Sequence, residues 1–195
     1  QSSAQNYFPA KTSDQFQEEY LKEWYNNFGG GWEEYTYPKI IISDSLIFNN
    51  KTYYKYNDKY FSYDSLQKQL LIYLDGSSHI AVDFNQPNNS TKVLYFLGFP
   101  KVWLSNGTSI KNILGTNRLF YSMHADTTYQ QGPSWVIDTW TLEFSDGIGL
   151  NYSYYRKTQI SNPFTDTYVY RHTVLLVKID TLQINTINKN ISLVD

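Results

Sequence analysis

Three histidines, His79, His124 and His172, are the imidazoles this 195-residue chain offers to chemistry, and each falls in a different stretch. No H-x-H or H-x-x-x-H spacing links two of them, so no local pair is poised to hold a metal, and each reads as a solvated or singly hydrogen-bonded ring. Cysteine is absent, which removes thiol nucleophiles, disulfides and thiolate metal sites together. Glu33, Glu34 and Glu143 could supply the two carboxylates that glycoside hydrolysis needs roughly 5 to 9 Å apart, but a chain of this length always offers such pairs. A Ser-His-Asp triad can be assembled by counting residues, yet no G-x-S-x-G turn presents a nucleophile. Gly147-Ile148-Gly149 is too short for a dinucleotide fingerprint and suits a bulge or tight turn. The expectation is a protein with no catalytic residue, no cofactor and no bound metal.

Two other patterns point to the surface. Tyr 19, Phe 11 and Trp 5 make aromatics 18% of the chain, roughly double the ordinary share. Tyr53, Tyr54, Tyr56, Tyr60 and Tyr63 crowd one stretch, and Tyr152, Tyr154 and Tyr155 another, so tyrosines fall on both faces of any strand formed there. One face can be core; the other must meet solvent, a ligand or another subunit, and aromatic residues are enriched at interfaces. These eight tyrosines are the expected interface. The second pattern is Asp followed by Ser or Thr and then a small or apolar residue, at Asp44-Ser45-Leu46, Asp64-Ser65-Leu66, Asp126-Thr127-Thr128 and Asp180-Thr181-Leu182. It recurs more often than composition alone would give, although Asp-Ser is also ordinary turn chemistry. It resembles the O-glycosylation signal of periplasmic and secreted Bacteroidota proteins, which implies glycans on Ser45, Ser65, Thr127 and Thr181 at exposed turns. Asn-x-Ser/Thr sequons at Asn50, Asn88, Asn89, Asn106, Asn151 and Asn190 add weak support for a glycosylated surface.

The elements that must position these residues read as strands. Helix formers are scarce, with four Ala, one Met and six Glu, while aromatic and β-branched residues suit a pleated sheet. Phe16, Tyr20 and Trp24 share a face either along a strand or at i, i+4, i+8 of a short helix, so the N-terminal element stays open between the two. Trp32 to Ile42 reads as one strand after Gly29-Gly30-Gly31. Asn49-Asn50, Asn57-Asp58, Asp64-Ser65 and Asp75-Gly76 then separate Lys51–Tyr56, Lys59–Tyr63 and Gln69–Leu74 as hairpins. A polar loop from Asn85 to Ser90 precedes a strand from Val93 to Phe99, and Asn106-Gly107 reads as a turn. Trp135–Phe144, Leu150–Thr158 and Thr167–Ile179 follow, with Val136, Trp140, Leu142 and Phe144 on one face. The sum is an all-β chain: an antiparallel meander of about ten strands, forming a barrel or a sandwich, in one domain over residues 1–180 with a tail over 181–195.

Charge and hydropathy narrow the partners. Sixteen Lys plus Arg against eighteen Asp plus Glu leave a net charge of −2, without the basic excess of a nucleic-acid binder. Mean hydropathy is −0.50, and no apolar run approaches the ~20 residues of a membrane helix, so the chain is not expected to span a membrane. A start at Gln1 with no charged-plus-apolar leader fits a chain processed on export. Tyr7-Phe8-Pro9, Lys51-Thr52-Tyr53-Tyr54-Lys55, Tyr60-Phe61-Ser62-Tyr63-Asp64 and Phe144-Ser145-Asp146-Gly147-Ile148-Gly149-Leu150 resemble β-rich modules of secreted Ignavibacteria and Bacteroidota proteins, which often precede a type IX secretion sorting tail. Where those modules continue Gly-Asn-x-Trp-x-Tyr, this chain has Ser13-Asp14-Gln15-Phe16-Gln17. The resemblance implies an extracellular, cell-surface or periplasmic protein and carries no enzymatic activity. The leading expectation is a structural or adhesive subunit that self-associates or docks on other cell-surface proteins through its tyrosine-rich faces. A carbohydrate-binding module that recognises glycans, or a lipocalin-like binder of a small apolar ligand, is the alternative.

Overall fold

Strand length decides the architecture. The computed structural model describes residues 14–113, 116–146, 149–179 and 182–185, and all its regular elements are strands. In chain order they are β1 (Gln15–Asn26), β2 (Gly31–Thr36), β3 (Lys39–Ile41), β4 (Ser45–Phe48), β5 (Lys51–Tyr56), β6 (Lys59–Asp64), β7 (Gln69–Leu74) and β8 (Ser77–Asp83). There follow β9 (Thr91–Leu94), β10 (Lys101–Ile113), β11 (Thr116–Gln131), β12 (Ser134–Ser145), β13 (Gly149–Ser161), β14 (Phe164–Ile179) and β15 (Leu182–Asn185). β4 to β8 form a five-stranded meander. The others form a ten-stranded antiparallel sheet in the order β2-β1-β14-β13-β12-β11-β10-β9, with β3 beside β1 and β15 beside β14. Each sheet has two ends, so the fold is a sandwich and the barrel alternative falls away.

The two layers differ greatly in reach. At about 3.3 Å per residue, the four- to seven-residue strands of the small sheet span roughly 13 to 23 Å, and the 12- to 16-residue strands β11 to β14 roughly 40 to 53 Å. The small sheet therefore covers only part of one face of the long one. Where they overlap, Phe61, Leu70, Ile72 and Val82 pack on Leu94, Trp103, Tyr121, Met123, Leu142 and Phe144. Phe84 and Phe96 meet Phe144 edge-on at 5.5 and 5.6 Å, the arrangement that aromatic quadrupoles favour. The cluster reaches as far as Ala125 and Trp140.

Several expectations from the sequence change here. The ambiguous N-terminal segment is strand β1, because its twelve residues hydrogen-bond β14 along one edge and β2 and β3 along the other. Trp32–Ile42 divides at Pro38, which has no N–H for the ladder, into β2 and β3. Asn106-Gly107 is no turn: β10 runs through it with a bulge, and Gly107 takes a positive φ of 74°. Val93–Phe99 stops at Leu94, where a turn closed by the Gly98 N–H on the Tyr95 carbonyl directs Phe96 and Leu97 to the core. Past Asp180 the chain returns as β15 along β14, so the expected tail contributes a strand; Tyr7-Phe8-Pro9 and Thr181 lie outside the described residues. The hairpin turns fall where expected, with Asn49, Asn50, Asn57 and Asp75 all at positive φ.

Candidate functional site

Register places successive rows of side chains on the face of the long sheet that the small sheet partly covers. Directly paired residues share a face, and so do residues two apart on a strand. One row is Met123, Leu142, Ser153, His172 and Tyr20, crossing β11, β12, β13, β14 and β1. Its first two members are apolar core, and it turns polar as it crosses β13. The next row is Ala125, Trp140, Tyr155, Tyr170 and Lys22, and beyond it lie Asp138, Lys157, Tyr168, Trp24 and Trp32. The first row borders a pocket; the other two form a mainly aromatic surface in which Ala125 and Asp138 are buried.

Behind the pocket wall lies a buried carboxylate. A bulge between Gln17 and Glu18 shifts β1 against β14, and the Glu18 N–H donates to the Pro38 carbonyl at 3.0 Å. Bulges re-aim side chains, and Glu18 points into the protein, fully buried. The Tyr56 hydroxyl donates to Glu18 Oε1. Glu18 Oε2 lies 3.1 Å from His172 Nε2, at ion-pair distance but off the hydrogen-bond line, so neither atom has an aligned partner. Tyr20 stacks on the His172 ring at 4.7 Å. Burial, and then the Glu18 charge, push the Tyr20 and Tyr56 phenols above their ordinary range. Ser153, opposite His172 in register, lines the same pocket of about 200 Å³, as do Phe61, Phe96 and Leu150. Carboxylate, imidazole and hydroxyl thus sit on three neighbouring strands. No hydrogen bond joins Ser153 to His172, however, and an activated nucleophile needs that contact.

On the open surface the rings stack on one another. Trp140 and Tyr155 have centroids 4.8 Å apart and planes 24° apart; for Tyr155 and Tyr170 the values are 5.7 Å and 23°. At these separations the rings stand on edge like plates in a rack, because rings lying flat side by side would be further apart. Lys101 Nζ caps the column 3.8 Å from the Trp140 centroid and donates to the Thr127 hydroxyl. Burial lowers the Lys101 pKa, while Asp138 and Asp126 act against that. The Tyr155 hydroxyl donates to Asp138 Oδ1 at 2.8 Å, and burial followed by this bond raises its phenol. Tyr155, Lys157, Gln159, Tyr168 and Tyr170 line a groove of about 430 Å³, and Tyr170 and Trp32 are nearly half exposed. A roomier recess of about 540 Å³, beside the Asn85–Ser90 loop, is walled mainly by amides and backbone, with Lys68 as its one titratable wall residue.

The eight expected interface tyrosines separate. Tyr53 and Tyr56 are buried and cannot serve as contacts: Tyr53 packs on Tyr73 and donates to Ser78 Oγ, and Tyr56 is locked on Glu18. Tyr54 and Tyr63 pack against the core, and the Tyr60 hydroxyl donates to Asp44. Tyr152 and Tyr154 alternate to the opposite face from Tyr155, which alone of the eight joins the stacked column. Trp24, Trp32, Trp140, Tyr168 and Tyr170 were not among the expected contacts; nothing in a linear pattern places residues 24, 140 and 168 side by side. Of the expected glycan acceptors, Ser45 and Ser65 are exposed on the small sheet and its β6–β7 turn. Thr127 is exposed too, but inside strand β11 rather than at a turn, because its neighbours pair with β12 without interruption. His79 stacks on Tyr95 at 4.4 Å, and His124 Nδ1 meets Asn106 Oδ1 at 3.1 Å. Among the described residues no three His, Asp or Glu side chains gather as metal ligands, and no helix is long and apolar enough to cross a membrane. Comparisons of the chain with protein-family models, with curated proteins and with solved structures found no match.

Proposed function

We propose that this chain is a secreted or cell-surface protein that acts without catalysis, as a structural or adhesive subunit, and that its partner is a second copy of itself. The observation that carries this reading is the aromatic surface where Tyr155, Tyr168, Tyr170, Trp24 and Trp32 share a sheet face beyond the core cluster, with Trp140 at its border. Tyr and Trp supply large contact area with a polar tip, which suits a face that is wet in one state and covered in another. Charge on that face is locally balanced, since Lys22 pairs with Glu34 at 3.7 Å, and a net charge of −2 gives two copies little reason to repel. A flat sugar platform fits the column less well, because its ring faces are spent on each other.

Sedimentation velocity over a wide concentration range tests this. Wild type should associate, and Tyr168→Ser with Tyr170→Ser should return it to monomer while circular dichroism stays native and stability falls by no more than the lost Tyr155–Tyr170 stack is worth, about 0.5 to 1.5 kcal/mol. A strict monomer at high concentration overturns self-association. Modification fits the same picture: O-glycans on Ser45 and Ser65 would leave the open surface free, whereas one on Thr127 would stand on it. An intact mass from native material, localised by peptide mapping, should place glycan on the small sheet and none on Thr127.

A further inference from the structure

The long sheet has a second face at its uncovered end, and that face is apolar too. On the side away from the stacked column, register aligns Ile137, Thr158, Thr167 and Tyr25 across β12, β13, β14 and β1, and sets Trp135 beside Ile160 in the row after them. Neither row contains a charged residue. Trp135 and Tyr25 stand about half exposed, and Ile160 more than a third. Apolar side chains gathered on an exposed surface mark a contact. A pair of copies joined aromatic face to aromatic face would cover one side of each sheet and leave this side in water.

Charge points the same way. Among the described residues, Lys157 is the one charged wall of the groove between Tyr155, Tyr168 and Tyr170. Two such grooves packed about a two-fold axis bring their Lys157 ammoniums together, and facing like charges cost affinity. The opposite face offers the reverse. Its next row sets Glu23 directly against Glu33, with Asp126 and a single cation, Arg156, in the same line. Arg171 takes Glu23 at 2.8 Å, and the field of these glutamates, Glu33 foremost, raises the neighbouring Tyr35 phenol. An uncharged apolar patch with an acidic border therefore matches an aromatic groove that holds one lysine. The height fits as well. Packed sheets lie about 10 Å apart, so a neighbour's sheet seated on the aromatic face stands level with the small sheet and supplies the layer missing there.

We propose that copies associate head to tail: the aromatic face of one, around Tyr168 and Tyr170, receives the opposite face of the next, around Trp135 and Ile160. This rests on the self-association proposed above and adds which surface meets which. Each copy carries one surface of each kind, so the contact repeats as an open stack.

Sedimentation velocity on the whole chain tests this with variants of each face. Wild type should grow past the dimer as concentration rises. Tyr168→Ser with Tyr170→Ser removes the receiving face and Trp135→Ser with Ile160→Ser the inserted one, and each should be monomeric with native circular dichroism. Mixed one to one, these two variants should form a dimer and nothing larger, because each supplies the face that the other lacks. Thr158→Lys deletes no apolar group, places a cation amid the uncharged rows and should also give monomers. Lys157→Met should weaken association about two- to fivefold, whereas in a like-with-like pair it would strengthen it. Wild type that stops at a dimer, a one-to-one mixture that stays monomeric, or a Thr158→Lys chain that associates as wild type does overturns the head-to-tail contact. If the Trp135→Ser, Ile160→Ser chain dimerises while the Tyr168→Ser, Tyr170→Ser chain does not, the head-to-tail contact falls and self-association through the aromatic face stands. Wild type that is monomeric at every concentration overturns both.

Discussion

One sheet face serves two regions, and the contrast between them shows what a covering layer does to the same alternation. In the covered stretch, Met123, Leu142, Phe144 and Tyr121 meet the small sheet and are buried almost completely. Past Trp140 the strands continue with the same period, but no strand of the small sheet joins the packing there. The residue types change accordingly. Apart from a buried Val136, apolar Leu, Met and Phe give way to Trp and Tyr, and these satisfy themselves sideways, ring against ring along the row and phenol to the buried Asp138 carboxylate at Tyr155. Stacked rings of this kind contribute about 0.5 to 1.5 kcal/mol per pair beyond burial, enough to hold an uncovered sheet in register but less than a packed interior provides.

The largest expected effect breaks the covered region. Phe144→Ala removes a fully buried ring that touches Phe84 and Phe96, and should cost about 3 to 5 kcal/mol. Tyr155→Ala removes two stacks and one hydrogen bond at a half-buried site, and should cost about 1 to 2 kcal/mol. Urea unfolding of both variants checks the ordering; equal losses would mean that the open region is held as tightly as the core.

Alkaline pH separates the regions by a different route. Tyr56 is buried on Glu18, and its phenol lies well above the ordinary value, through burial first and the carboxylate charge second. The folded state therefore keeps a proton that the unfolded chain releases near pH 10, so stability is level below about pH 9.5 and falls above about pH 10. Tyr155 is raised in the same direction by burial and its bond to Asp138, but from a partly exposed site. Urea midpoints measured between pH 8 and 11 should fall less steeply in Tyr56→Phe than in wild type, and Tyr155→Phe should flatten the decline by a smaller amount. A slope unchanged in Tyr56→Phe would remove the buried phenol–carboxylate contact as the cause.

The all-β class and most hairpin turns were legible because they are local. Asn49, Asn50, Asn57 and Asp75 take the positive φ that their side chains tolerate, and the strand period needs only neighbours. Tyr53 and Tyr56 show where local reading ends: both faces of β5 were visible, but which side the rest of the protein would bury was not. The Glu18–His172 contact was hidden more deeply. It spans most of the chain and exists because β1 pairs with β14, a closure that no turn signal announces, and because a bulge at Gln17 aims the carboxylate inward. The stacked column is a product of register too, since Trp140, Tyr155 and Tyr170 lie on three strands whose alignment follows from hairpins closed some distance away.

The smallest expected effect sharpens the comparison at its boundary. Lys101 reaches from β10 over the Trp140 ring, where the core cluster stops and the open column starts. Two influences on this ammonium oppose each other. Its position over the ring is favourable by about 0.5 to 1 kcal/mol at exposed sites. Burial, which lowers its pKa, penalises the charged form, while Asp138 and Asp126 partly restore it. Lys101→Met keeps a flexible apolar stem against the indole and discards both influences together, so stability should stay within about 0.5 kcal/mol of wild type. Lys101→Glu puts a carboxylate over the ring face and near Asp126 and Asp138, and should lose about 1 kcal/mol or more. Urea midpoints at low and moderate salt check the pair. If Lys101→Met is neutral in stability yet shifts the sedimentation profile, the top of the column belongs to the association surface. If it destabilises by as much as a core truncation, the covered region extends past Trp140 and the boundary drawn there is misplaced.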